Sequence, residues 1–211
     1  VTSLDADTTN YNLTQTGATL DLQGAVTGGA NDAIDFAAAA NTTVILSGDV
    51  AYSANFDGAG TLRITGTATT DEAIGSAVAM GILDLDGQIT STDTIAVSVL
   101  DLDGTIAGAT SFDATGVANL NGTITSTGVV GIGGATTLGG DSQITTTDAI
   151  VTLNAVNGAG IDLTINSGTA ATNFDGIVGG SAGVGAIALT GALNLDAAIT
   201  DAESISVSLA S

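Results

Sequence analysis

A short internal repeat constrains this chain more than any other feature. Residues 83–90 read LDLDGQIT, residues 100–107 read LDLDGTIA and residues 118–125 read ANLNGTIT, at offsets of 17 and 18. Three columns follow: Leu85, Leu102 and Leu120; Gly87, Gly104 and Gly122; Ile89, Ile106 and Ile124. At steps of 18 the glycine column extends to Gly140, Gly158 and Gly176. The residues before the first three glycines are Asp86, Asp103 and Asn121. Asp-Gly and Asn-Gly are turn formers. A longer repeat of 55 residues overlays the short one, from Ile89 to Ile144 to Ile199. Phe56, Phe112 and Phe174 recur in NFDG-like segments and are expected to fill one core position in each long unit.

Between turns the chain alternates. Leu83-Asp84-Leu85-Asp86, Leu62-Arg63-Ile64-Thr65 and Leu193-Asn194-Leu195-Asp196 each put apolar residues on one face, the strand signature. The best helix candidate, residues 71–80, is interrupted by Gly75 and reads better as a strand or loop. With four Phe, two Tyr and no Trp, a broad globular core is hard to fill. A strand–turn unit of about 18 residues cannot bury its apolar face alone, whereas stacked units share a narrow continuous core. The expected fold is therefore all-β, a parallel β-helix or β-solenoid with coils of about 18 residues. Division of the length predicts about eleven or twelve coils. Residues 1–80 form its irregular first part and 81–211 its regular continuation. The alternative is two antiparallel β-sandwich domains, in which a regular 18-residue step has no reason to appear.

Charge and missing residue types bound the function. The formal charge is -21, with Arg63 the one basic residue, which argues against nucleic acid or an anionic membrane as partner. No apolar run is long enough for membrane insertion. The chain has no Cys and no His, and Arg63 leaves no Lys. Thiolate, imidazole and lysine chemistry are thereby removed, so no catalytic residue and no enzymatic role are expected. Two carboxylates alone serve glycoside hydrolysis. The pairs Asp84 with Asp101 and Asp141 with Asp148 are nevertheless better read as repeat positions on a turn or outer face.

Segments of the kind LDLDGTI, ITSTD and NFDG, in a Thr-, Gly- and Asp-rich chain, resemble bacterial strand-repeat surface proteins: filamentous-haemagglutinin-like adhesins, autotransporter passenger domains and surface-layer (S-layer) proteins. The resemblance implies a secreted, extracellular protein of the bacterial cell surface, built as a β-helix and serving as coat, fibre or adhesion material. Residues 28–36, GGANDAIDF, are similar to the calcium-binding nonapeptide GGxGxDxUx but one residue short, and Gly139-Gly140-Asp141 is a shorter candidate.

In-register stacking sets Asp84 beside Asp101 and Asp86 beside Asp103, with Asn119 and Asn121 one coil further. Like charges directly opposite destabilise a sheet. Solvent screening relieves this, or a bridging Ca2+ does, with Asp84, Asp86, Asp101, Asp103 and Asp141 as candidate ligands. The expected function is a self-associating, calcium-stabilised structural module. Its partners would be copies of itself or further repeats of the same precursor, and surface polysaccharide. The alternative is a calcium-dependent glycan- or cell-binding module of an adhesin.

Overall fold

A computed structural model of the chain describes residues 4–6, 11–15, 19–24, 26–28, 34–52 and 55–210. Among the described residues there are strands and turns but no helix, and every strand pair is parallel. The strands wind into a β-solenoid of about 9 turns with about 19 residues per turn. The even step of 18 holds only locally. The inward column Ile89, Ile106, Ile124, Ile144, Ile165 advances by 17, 18, 20 and then 21 residues. The turns counted among the described residues are fewer than the eleven or twelve that division by 18 predicts.

Each turn presents three faces. On the leucine face, Leu22, Leu46, Ile64, Leu85, Leu102, Leu120 and Leu138 stack inward, none more than 3 % exposed. On the threonine face the inward column is Ala68, Ile89, Ile106, Ile124, Ile144, Ile165 and Leu189. On the phenylalanine face it is Phe56, Ile74, Ile95, Phe112, Val130 and Val151. Repetition of one residue type down a column suits this geometry, because neighbouring strands are about 4.8 Å apart and β-branched or leucine side chains nest at that spacing. The columns run unbroken past residue 80, as in Leu62↔Leu83 and Ala68↔Ile89.

Three sequence expectations shift. Phe56 and Phe112 do share a column, three turns apart, but Phe174 sits in the next one, behind Ala114, Ile132 and Leu153. Ile89 and Ile144 share a column, whereas Ile199 pairs with Val178 near the leucine face. The glycine column is real from Gly48 through Gly66, Gly87, Gly104 and Gly122, where a Cβ on each would strike a backbone carbonyl of the turn below. Beyond that the turns lengthen, and Gly140 lies on Asn121, Gly158 on Leu138 and Gly176 on Asn154. Residues 71–79 are a loop with one bridge residue, Ile74, as the interrupted pattern predicts.

A second corner is built from hydroxyls. Thr70, Ser91, Ser126, Thr146 and Ser167 are buried at the corner that follows the threonine face. Each donates to a backbone carbonyl, of Glu72, Asp93, Ala109, Ala149 and Ala170 respectively, at 2.6–3.2 Å. Each buried hydroxyl is thereby satisfied, and at Asp93 and Ala109 it shares a carbonyl that also accepts the backbone N–H of Thr110 or Thr127.

Gly104→Ala should lower stability by roughly 1–3 kcal/mol, since the new methyl meets the Gly87 backbone and not a yielding side chain. Gly131→Ala, facing only the Asp113 carboxylate, should cost less in the same denaturant titration. Thr136 is 0 % exposed in an aliphatic column between Ala118 and Val156, and its Oγ1 has no hydrogen-bond partner. Thr136→Val should therefore stabilise by about 1 kcal/mol or more.

Candidate functional site

The outward positions of the leucine face carry the predicted acids. Leu83 and Leu85 point inward, so Asp84 and Asp86 between and after them point out. The register gives one polar ladder, Arg63, Asp84, Asp101, Asn119 and Thr137. Asp86, Asp103 and Asn121 form a parallel ladder at the adjoining turn. Asp84↔Asp101 is the one strand register pair among the described residues that sets carboxylate on carboxylate. Both ends of this acidic run are capped. Arg63 Nη2 donates to Asp86 Oδ2 at 2.6 Å and Arg63 Nε to the same oxygen at 3.2 Å, while Nε lies 3.5 Å from Asp84 Oδ2. On the far side Asn119 Nδ2 donates to Asp101 Oδ1 at 2.9 Å and Asn121 Nδ2 to Asp103 Oδ1 at 2.8 Å. One cation and two amides thus supply a third way to relieve the stacked charge, beside solvent and calcium.

Of the five calcium-ligand candidates, the fold brings Asp84, Asp86, Asp101 and Asp103 to one surface. Asp141 stands apart at the edge of the threonine face, where its Oδ1 accepts from the backbone N–H of Asp162 at 3.2 Å. Among the described residues no three acidic side chains converge on a common point as a metal cluster. The nonapeptide-like segment falls mostly outside the described residues, which omit 29–33.

Burial pushes the Asp84 carboxyl above its ordinary value; Arg63 pulls it back, and Asp86, Asp101 and Asp103 push it up again. Asp148 goes the other way: the Thr169 backbone N–H, at 2.8 Å, and hydroxyl, at 3.0 Å, hold its carboxylate below the usual range. Asp148 has a φ of 52°, a conformation that Asp and Asn tolerate.

Other faces differ in chemistry. Outward on the threonine face run two ladders: Thr67, Gln88, Thr105, Thr123, Gln143, Thr164 and Ala188, and a second that runs Thr69, Thr90 and Ala107, breaks at a register shift before Ala109, and resumes as Thr125, Thr145, Asn166 and Thr190. Neither holds a charged residue, although the chain carries 22 acids. Beside the acidic ladder an open groove of about 560 Å³ is lined by Ile82, Val99, Val117, Asp101 and Asn119. Sequence reading found the acids through their repeat and expected Arg63 to partner a nearby carboxylate, as it does; only the register names the partners, Asp86 and Asp84.

No protein-family model, curated protein or solved structure matches the chain.

The pH dependence has a definite sign. A carboxyl whose folded pKa is raised binds its proton more tightly in the folded state. Asp84 therefore opposes folding at neutral pH, and that penalty disappears as pH falls through its folded value. Asp84→Asn should raise the melting temperature at pH 7, with the gain shrinking toward pH 4. Asp148, lowered from 3.8, stabilises above that pH and loses the contribution as pH falls below it and through the lower folded value. Asp148→Asn, which keeps the positive φ tolerable, should then lower the melting temperature at pH 7, with the deficit shrinking as pH falls below 3.8. Melting curves of both variants across this range check the signs.

Proposed function

We propose that the chain is a structural, self-associating module of an extracellular bacterial surface protein, such as an S-layer, surface fibre or adhesin stalk. The observation that carries this reading is the unbroken set of columns and the edge on which they open. The strand Ala202–Ser208 pairs with Val184–Leu195 and, among the described residues, with nothing on its other side. Its Ile205 and Val207 continue the buried column positions of Ile187 and Leu189, yet are 44 % and 46 % exposed. An unpaired, apolar strand edge is a template for further pairing. The cross-section that fits it best is another coil of the same kind, from the same polypeptide or another copy. No catalytic machinery is needed for such a role.

Calcium enters this reading between molecules. The charge of -21 opposes contact between identical chains, and a divalent cation shared by carboxylates such as Asp101 and Asp103 offsets it. A glycan-binding module is the second reading, favoured by the uncharged hydroxyl and amide lattice of the threonine face, which suits neutral saccharides. Light scattering in millimolar calcium, then in chelator, separates the outcomes. Larger particles in calcium are expected, with Ile205→Asp and Val207→Asp together reducing them. A stable monomer at high concentration in both conditions would sink the assembly reading. Retention of a neutral polysaccharide, lost on Thr125→Ala with Thr145→Ala, would favour the second.

A further inference from the structure

The groove on the leucine face combines two kinds of ladder. Ile82 and Val99 are register partners, and the pairing of Leu100 with Ala118 sets Val117 next in line. These three form an outward aliphatic strip two residues upstream of Asp84, Asp101 and Asn119. Ile82 is 38 % and Val117 54 % exposed. The coil does not require aliphatic residues at this position, because in the two preceding turns the same column holds Thr43 and Thr61. The strip is small, and what sets it apart is its place: a groove with aliphatic residues on one side and the carboxylates of Asp84 and Asp101 along the other.

We propose that this strip and its acidic border dock a cationic amphipathic helix of a partner protein. Charge decides the occupant. Arg63 is already committed to Asp86 and Asp84, while Asp101 and Asp103 accept only neutral amide hydrogens. A partner that lays aliphatic side chains on Ile82, Val99 and Val117 must bring cations to this border. A second copy brings no free cation and a charge of -21. Spacing decides the conformation. Successive coils repeat at about 4.8 Å along the rod, close to the 5.4 Å pitch of an α-helix. Over the two steps from Ile82 to Val117 the mismatch is about 1 Å. Residues at i, i+4 and i+7 of a helix lying along the rod can meet the three aliphatic rungs, and Lys or Arg on its flank can reach the carboxylates. An extended strand repeats each face at about 7 Å and falls out of step at once. The inference is independent of coil addition at the Ala202–Ser208 edge, which lies elsewhere.

The test uses the full chain and three labelled synthetic peptides of equal length, read by fluorescence anisotropy. One is a Leu/Lys amphipathic helix, one its Leu/Glu counterpart, and one a Lys/Ser peptide of the same positive charge. The Leu/Lys helix should bind, and the other two bind at least tenfold more weakly. Ile82→Ser with Val117→Ser should weaken Leu/Lys binding about tenfold. Asp101→Asn with Asp103→Asn should weaken it about fivefold and flatten its salt dependence. Val129→Ser, at an exposed aliphatic residue on another face, should leave it unchanged. Circular dichroism checks that each variant keeps its strands. Equal binding of the Lys/Ser peptide, no effect of the Ile82/Val117 pair, or no binding at all would overturn the proposal. So would sedimentation showing that the strip instead pairs two copies, lost in the same double variant.

Discussion

Parallel stacking in register makes each side chain the neighbour of its own counterpart one turn away. This one constraint governs what the sequence can contain. For Leu, Ile and Val the rule is favourable, and the columns Leu85, Leu102, Leu120 and Ile106, Ile124, Ile144 fill the interior with almost no aromatic volume. For glycine it is self-reinforcing: once Gly87 turns with its carbonyl against the next coil, residue 104 has no room for a Cβ, and the same holds for Gly122 above Gly104. For charge it is unfavourable, since any acid repeated at one position faces itself at about 4.8 Å.

The placement of acids follows from that penalty. Asp113 is paired with Ala96 and Gly131, Asp57 with Ala37, and Asp101 on its far side with Asn119. Asparagine is the natural successor to aspartate in such a column, because its amide donates to the carboxylate below while keeping the same shape. Asn194 Nδ2 makes a stacked contact of the same shape to the neutral Asn173 Oδ1 at 2.9 Å. The one carboxylate-on-carboxylate strand pair among the described residues, Asp84 on Asp101, with Asp86 and Asp103 at the adjoining turn, lies beside the chain's one basic side chain. Arg63 is therefore where it is needed most, and its removal would leave Asp84 with burial and three like charges and nothing to offset them. Stacked acids thus do not by themselves imply a metal: a cation at one end and amides at the other answer the same electrostatic problem from within the chain.

What the sequence made legible was whatever the repeat expressed in residue identity. The solenoid, the inward leucines and the outward Asp84, Asp86, Asp101 and Asp103 could all be read from offsets of 17 and 18. What escaped was whatever depended on turns of unequal length. Gly158 keeps the 18-residue arithmetic but lies on Leu138, because the coils after Ile124 have grown by two and three residues. Phe174 keeps the NFDG-like motif but moves one inward column over. A motif marks a local corner, and the register between corners is settled by packing. The buried Ser and Thr corner column also went unread, since Thr is so common that five hydroxyls spaced unevenly from Thr70 to Ser167 carry no visible period.

The three faces end up chemically distinct although they wind from one repeat. The leucine face carries its acids beside an aliphatic strip, and the threonine face carries two uncharged ladders. A molecule at -21 cannot approach its own kind through its acidic surfaces without counterions, and screening over about 8–10 Å only softens that. It can approach through an uncharged lattice or through an apolar strand edge. In the proposed assembly the same asymmetry would give direction: addition at the Ala202–Ser208 edge would extend the rod along its axis, while contacts on the faces would tie rods side by side. Axial contact would rest on backbone hydrogen bonds and matched aliphatic columns, which salt barely affects, and lateral contact on the acidic face on charge, which salt and divalent cations do affect. Ionic conditions would then act on how rods gather and not on how each rod is built, because the core columns among the described residues contain no ionised group.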